Sequence, residues 1–544
     1  MKPQNVVLVG PIQQENLALQ YLAASARKVG HRVRVVSYGD RRELERALDS
    51  SLAGRPDVIG MGIAFQNHIE DYLAFMQAVR PRGFGGHLTC GGHVPTFCYP
   101  ELMRDVPGLD TCVRHDGEET FVELLERLGC DEPARDIAGL VWRDGDQVVV
   151  GPVRKPRMDL DNLPEPARSE VPYSVGGLAV DFLITARGCV GECNYCSIAA
   201  FTAEQSVAFR LRKPDPVAEE IASAYHQRGA RVIFVQDDLF VLPSERKSVE
   251  RANAMRDGLR ARGVDNAVLW VKGRPETITG PVAAALADLG VIHMFLGVEN
   301  AAATRLDYLG RTHLPLHNES AIAISRKHGI TPSFNFMLFD PDCSLDDIEP
   351  TLRMAEDNLD LPWNVCRTEI YSGTALRARL EREGRLEGDY RSYGYRMRDE
   401  RAEIMFRLMR VILHERSLAL ESLLNRLISL SFARQLHEHF FPGAATDTLA
   451  GAANRLGCDV RRDTVDMLRR LRDFAAGPAA RDKDKTRRFA VDQALDIQAR
   501  DLPWRARADE LWGRFNARGA AFAPRLGVTR NGPVRASWAV ASGS

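Results

Sequence analysis

A chain of 544 residues, 45% hydrophobic and 27% charged, has enough apolar mass for about three domains and reads as globular. Its formal net charge of −1 offers no field for a polyanion, and no apolar run is long enough to span a bilayer, so neither nucleic acid nor membrane is an expected partner. Ten cysteines in so long a chain do not form a disulfide framework, and the opening residues run straight into an apolar strand without a signal-peptide layout, which places the protein in the cytoplasm.

Residues 1–145 alternate short apolar strands with helical stretches. Strands are expected at 6–10, 33–36, 57–63, 87–92 and 111–114, and helices at 17–29, 69–79 and 120–128. This order argues for an α/β fold with an open, doubly wound parallel sheet, in which ligands bind beyond the carboxyl ends of the strands. Those ends carry Gly10, the run Gln66-Asn67-His68, the run Gly91-Gly92-His93, and His115-Asp116-Gly117-Glu118-Glu119. The plainer readings stand beside this one: residues 66–68 as polar loop, and Glu118 and Glu119 as first-turn acids of a helix.

Residues 146–180 concentrate proline and are expected to form an extended linker. Residues 181–376 return to strand–helix units, with strands at 181–185, 232–235, 267–271, 294–298, 333–339 and 367–371. Six units fall short of the eight that close a full barrel. Polar residues gather at the strand ends, where barrel chemistry sits: Asp237 and Asp238, Arg274, Glu299, and then Asn335 ahead of Asp340-Pro341-Asp342.

Between the first two of these strands lies Cys189-Val190-Gly191-Glu192-Cys193-Asn194-Tyr195-Cys196, a C-x3-C-x2-C run. Cysteine thiolates are the usual ligands of iron–sulfur clusters. Three thiolates on a four-iron cubane leave one iron open to chelate a small molecule and pass it an electron. A zinc site is the competing reading, but there is no second C-x2-C and no H-x3-H to close a tetrahedron. The other seven cysteines are scattered, and most of them suit apolar cores.

Residues 377–544 are mainly helical in pattern, with stretches at 376–383, 399–430 and 464–474. A tyrosine-rich segment at 390–395 suits packing or closure over a substrate. Residues 481–485 read as a mixed-charge loop, and 530–544 show no periodicity.

The cysteine spacing, with Tyr195 before the third cysteine, resembles the signature of the radical S-adenosylmethionine (radical SAM) enzymes. The opening strand, the Tyr21-Leu22-Ala23-Ala24 helix, Gly91-Gly92-His93 and Gly117-Glu118-Glu119-Thr120 resemble the cobalamin-binding domain that precedes many radical SAM domains. The whole chain therefore resembles the cobalamin-dependent (class B) radical SAM methyltransferases. The resemblance implies a cobalamin-binding domain at 1–145, a linker at 146–180, a partial (β/α)6 barrel at 181–376, and a helical substrate or lid region at 377–544.

It also implies three cofactors. A [4Fe-4S] cluster would be held by Cys189, Cys193 and Cys196, its open iron binding S-adenosyl-L-methionine and cleaving it to a 5′-deoxyadenosyl radical. SAM contacts would come from Asp237, Asp238, Arg274, Glu299 and Asn335. Asp237 also suits a helix cap and Arg274 a structural ion pair. Cobalamin contacts would come from Gly10, Gln66, Asn67, His68, Gly91, Gly92, His93 and Glu118. The D-x-H-x-x-G motif that supplies a cobalt ligand elsewhere is lacking, which leaves Gln66, Asn67 or His68 for the lower face. Asp340-Pro341-Asp342 stands where many relatives have a glycine-rich turn.

The implied reaction moves a methyl group from methylcobalamin to an unactivated carbon, or phosphorus, of a small-molecule or peptide biosynthetic intermediate. A flavodoxin- or ferredoxin-type protein would donate the electron. A cobalamin-containing radical SAM cyclase or ring-rearranging enzyme is the alternative reaction, and a non-catalytic cobalamin sensor the alternative class.

Overall fold

A computed structural model describes residues 1–11, 15–523 and 535–536, with the side chain of Asn67 also outside the described residues. The chain forms two compact units that do not follow chain order. One gathers Met1–Glu170, Ala186–Arg212 and Glu369–Tyr395; the other gathers Val171–Thr185, Lys213–Thr368 and Arg396–Ser544.

The first unit is built on strands β1 (Asn5–Gly10), β2 (Arg32–Ser37), β3 (Val58–Gly62), β4 (His87–Gly91) and β5 (Thr111–Val113), paired in parallel in the order β2-β1-β3-β4-β5. Helices α1 (Leu17–Lys28), α2 (Leu44–Leu52), α3 (Ile69–Val79), α4 (His93–Asp105) and α5 (Glu118–Gly129) follow the strands in turn. Alternate residues of β1 enter different cores: Val7 and Val9 join Ile59, Met61 and Phe75, whereas Val6 and Leu8 join Leu19 and Phe121. A continuous apolar strand is thus buried on both faces, as in a doubly wound sheet. Cys90, Cys98 and Cys112 lie in the first of these cores.

Two of these five helices were not legible. α2 is short, and α4 carries Pro95 and Pro100 with a break in helical geometry at Cys98. A hairpin of β6 (Leu140–Asp144) and β7 (Gln147–Val150) extends the sheet antiparallel, so regular structure continues past residue 145 into the proline-rich stretch.

The second unit opens with β8 (Tyr173–Val175) and β9 (Leu178–Leu183). The chain then returns to the first unit as β10 (Ala186–Gly188), α6 (Ser197–Ala203) and β11 (Phe209–Leu211), in which β10 and β11 pair antiparallel. From α7 (Pro214–Gln227) the second unit resumes with β12 (Val232–Val235), α8 (Glu245–Ala261), β13 (Val268–Gly273), α9 (Gly280–Leu289), β14 (Val291–Leu296), α10 (Ala303–Tyr308), α11 (Pro315–Lys327), β15 (Thr331–Phe339), α12 (Ile348–Asp357) and β16 (Trp363–Arg367). Six strands, β9 and β12 to β16, run parallel in one curled sheet, with β8 antiparallel beside β9.

The sixth strand corrects the expectation at 367–371: it runs over Trp363–Arg367. It starts after Pro362, and polar Asn364 masks its alternation. Residues after Thr368 belong to the first unit, as α13 (Ala375–Arg382) and the hairpin β17 (Leu386–Asp389) and β18 (Ser392–Tyr395). Tyr390, between these strands, is 2% exposed and packs into the first unit's core, which favours the packing reading of the tyrosine-rich segment.

The chain ends in helices α14 (Glu400–Ile412), α15 (Leu423–Phe440), α16 (Ala444–Ala476) and α17 (Lys483–Phe522) in the second unit. The single helical stretch expected at 399–430 is broken between Ile412 and Leu423. There Arg416 turns inward, fully buried, to Asp463 and Asp501, and Ser417 bonds Asn364. The mixed-charge loop expected at 481–485 is instead a helix start, with Asp482 accepting from the amides of Asp484 and Lys485. On the sheet, α15 sets Phe432 against Phe234 and His293, with ring centroids 5.4 and 5.2 Å apart. Of the stretch 530–544, all but the strand β19 (Arg535–Ala536), which pairs with β8, lies outside the described residues. Among the described residues no helix is long and apolar enough to cross a membrane.

Candidate active site

The cysteines lie on the loop between β10 and α6, in the first unit. Cys193 is 6% exposed, and Cys189 and Cys196 are half-buried. The Gly191 amide donates to Cys189 Sγ at 3.3 Å, and the Cys196 amide to the Cys193 carbonyl at 3.1 Å. From the other side, the Leu376 amide at the start of α13 donates to the Asn194 carbonyl at 2.9 Å. Among the described residues no three His, Cys, Asp or Glu side chains converge on one point, as a single ion requires. A cubane does not ask for that, since it takes one thiolate on each of three irons. The donor set therefore fits a cluster with one open iron.

Two arginines on the paired strands tie this loop to the carboxyl end of the first sheet. Arg187 Nη2 lies 2.5 Å from Glu118 Oε1 and Arg187 Nη1 3.5 Å from Asp116. Arg210, 2% exposed at its side chain, donates to Asp116 at 2.6 Å and to the Arg157 carbonyl at 3.0 Å. Burial works to raise the Asp116 carboxyl, but Arg187 and Arg210 outweigh it and hold it below the usual carboxylate range. Burial likewise opposes the charge on Arg187, and Glu118 and Asp116 overcome it.

Helix α6 is seated by two histidines. His93 stacks on Phe201 with 4.1 Å between centroids, and His115 Nδ1 meets the Phe201 carbonyl at 2.9 Å. Glu204 accepts from Arg114 and sits 3.2 Å from His115 Nε2. Burial lowers the His93 pKa to about 4, so the ring is neutral at pH 7, and its Nδ1 is buried without a hydrogen bond.

The expected cobalamin residues thus divide. Glu118 and His93 touch the cysteine-bearing segment. Gly10, Gly91 and Gly92 line the strand ends; at Gly92 (φ +119°) a Cβ would lie 2.5 Å from the Ile63 carbonyl oxygen, so only glycine fits. Gln66 donates to the Tyr390 carbonyl at 2.6 Å and has a buried Oε1 with no hydrogen bond. His68 is 3.6 Å from Asp71. Asn67's side chain is outside the described residues.

The expected SAM residues lie in the second unit, in two networks. Asp237, 1% exposed, accepts from the Thr185 amide at 2.6 Å and from its hydroxyl, joining the ends of β9 and β12; Asp238 is exposed. Arg274 pairs with Glu276 at 2.6 Å. Glu299 has φ +61°, accepts the Met337 amide at its carbonyl, and lies 3.8 Å from Arg311. Asn335 has a buried Oδ1 with no hydrogen bond. Sequence reasoning missed Glu276, Arg311 and His313. His313, its side chain fully buried, stands 3.6 Å from Glu276, and its pKa is lowered to about 4, by burial first and then by Arg311. These three join Arg274 and Glu299 into one polar rim on the ends of β13 and β14. A polar run after Gly310 was the only signal for Arg311 and His313. At Asp340, burial raises the carboxyl to about 6 despite Arg305 at 3.3 Å.

Residues 6–125 match the family described as B12 binding domain, and residues 183–355 match the Radical SAM superfamily. The chain is a B12-binding radical SAM protein. As such it is an enzyme, and its cofactors are cobalamin, a [4Fe-4S] cluster and SAM. This B12-binding radical SAM protein is 26% identical over 373 residues to the uncharacterized methyltransferase PH0819 of Pyrococcus horikoshii, covering 66% of this chain and 77% of that protein. It is 27% identical over 285 residues to the anaerobic magnesium-protoporphyrin IX monomethyl ester cyclase of Cereibacter sphaeroides, covering 49% of this chain and 44% of that one. In structure it is similar to the cobalamin-dependent S-adenosylmethionine radical enzyme OxsB, with a TM-score of 0.65 at 14% identity over 95% of this chain and 84% of that chain, a likeness of fold.

Proposed function

We propose that this protein is a cobalamin-dependent radical SAM methyltransferase acting on an unactivated carbon, or phosphorus, of a small-molecule or peptide biosynthetic intermediate. The observation that carries the reading is that the cysteine loop and the carboxyl ends of the first sheet belong to one compact unit, fastened by Arg187 and Arg210 to Asp116 and Glu118. A cluster-binding loop fixed to the cobalamin-binding fold suits a reaction that uses both cofactors on one substrate. When bound, the cluster supplies the electron that cleaves SAM and the cobalamin carries the methyl group.

The protein's own residues hold and orient. Cys189, Cys193 and Cys196 bind the cluster, and the Gly191 amide steadies one sulfur. Gly10, Gly91 and Gly92 leave the strand ends without side chains and would let a bound corrin come close to the backbone. Arg274 and Glu299 would take the carboxylate and amine of SAM, a reading supported by their contacts with Glu276 and Arg311. Asn335 offers an unused carbonyl oxygen. A flavodoxin- or ferredoxin-type protein supplies the electron, and the setting is cytoplasmic.

The cyclase relatives give the second reading, a radical SAM cyclase. The two part on product. Enzyme prepared without oxygen, loaded with hydroxocobalamin, reduced and given SAM should form S-adenosylhomocysteine as well as 5′-deoxyadenosine. Formation of 5′-deoxyadenosine alone, with no cobalamin-dependent S-adenosylhomocysteine, turns the reading to the cyclase. Absence of both points to a sensor.

A further inference from the structure

Helix α17 has two apolar faces. Ile497, Ala508, Leu511 and Phe515 are buried against the rest of their unit. Val491, Leu495 and Leu502 are 50%, 61% and 64% exposed, and Ala506 is exposed as well. At ~100° per residue these four fall within about 60° of arc, well away from the buried face. An apolar stripe this regular on a charge-rich helix is a contact surface rather than scattered exposure.

The stripe is symmetric about the midpoint between Gln498 and Ala499. Leu495 mirrors Leu502, and Val491 mirrors Ala506. Three pairs of flanking charges mirror with opposite sign: Arg488 with Asp509, Arg487 with Glu510, and Asp492 with Arg505; the like-charged mirror pair Asp496 and Asp501 is outside this contact, since Asp501 is buried on Arg416. Arg487, Arg488, Asp509 and Glu510 are all exposed. Within the chain Asp509 already meets Arg426 at 2.7 Å, Arg505 lies 3.7 Å from Glu415, and Glu510 pairs with Arg507.

We infer that α17 is a self-association surface, pairing antiparallel with α17 of a second copy about a two-fold axis at that midpoint. The symmetry operation places Leu495 against Leu502 of the partner subunit, and Arg488 against Asp509 of the partner subunit, each twice over. The contact runs from Arg488 to Asp509, about 30 Å at ~1.5 Å per residue. A parallel pair would instead set Arg488 against itself, which opposes that arrangement.

The test uses the full chain with its cofactors, followed by light scattering and sedimentation over a concentration series. The wild type should be a dimer, and Leu495→Lys with Leu502→Lys should raise the dissociation constant at least tenfold while leaving iron content and the melting curve unchanged. Arg488→Asp should weaken the dimer, and adding Asp509→Arg should restore it. A short bis-maleimide should cross-link a mixture of Leu495→Cys and Leu502→Cys proteins at these two positions, and neither protein alone. A wild type that stays monomeric overturns the inference. So does a dimer indifferent to the two lysines, or self-linkage of Leu495→Cys alone.

Discussion

Arg187 and Glu118 stand 69 residues apart in the chain and meet at 2.5 Å, which makes the strand entering the cysteine loop an ion-pair partner of the first turn of α5. Both side chains are largely buried, so each compensates the other's lost hydration. Replacing Arg187 by Met leaves Glu118 without its cation and weakens the hold on Asp116. The variant should lose on the order of 3 kcal/mol of stability. Reconstituted iron content should hold, but 5′-deoxyadenosine formation should fall at least tenfold. Denaturant titration and product assay read the two effects.

The three loop cysteines should behave as a set. Cys189→Ala, Cys193→Ala or Cys196→Ala removes one thiolate from an iron, and each should abolish the broad visible absorption and SAM cleavage. Cys130→Ser, at an exposed position, should leave both unchanged. Iron and sulfide analysis after anaerobic reconstitution is the check.

Stability should decline with acidification, and part of the decline belongs to His293. Its ring lies between Gln435 and Ser333, and burial lowers its pKa to about 4. The unfolded chain binds this proton from about pH 6.5 downward, whereas the folded chain resists until about pH 4. The stability is therefore fully present above pH 6.5 and lost on the way down, on the order of 3 kcal/mol across the whole window. His293→Gln should flatten the fall in melting temperature between pH 7 and 5. An unchanged slope would assign that fall to other groups.

Arg311 supports Glu299 from the loop before α11, and its guanidinium also donates to the Gly297 carbonyl. Arg311→Met should raise the KM for SAM about tenfold, or about 1.4 kcal/mol. Iron content should stay constant, and Arg311→Lys should recover part of the loss. A change in kcat with no change in KM would place Arg311 outside SAM binding.

The five parallel strands of the first sheet were readable because they are nearly unbroken apolar runs, and five of the six parallel strands of the second sheet were readable for the same reason; β16, interrupted by Asn364, and the β6–β7 hairpin were not. Helix α4 was hidden by two prolines, and α17 by a charge density that leaves its apolar residues sparse. The cysteine triad stood out because its three thiols fall within eight neighbouring positions. The arginines that fasten it did not, because Arg210 finds Asp116 across 94 residues and a lone charge pair has no period. The same holds for Arg311 and His313, whose meaning comes from a loop folding back on an earlier strand.

The first unit is assembled from three separate lengths of chain, the last ending at Tyr395. During synthesis its amino-terminal sheet emerges early, but the unit around it stays unfinished until the tyrosine hairpin leaves the ribosome, by which point every strand of the other sheet from β9 to β16 has already been made. A fragment ending at residue 355 would keep both family-matched segments and still lack the piece that seals Gln66 and Asp105 under Tyr390. Expression boundaries for either half should therefore be drawn around the returning segments, with the chain kept whole at least through Tyr395.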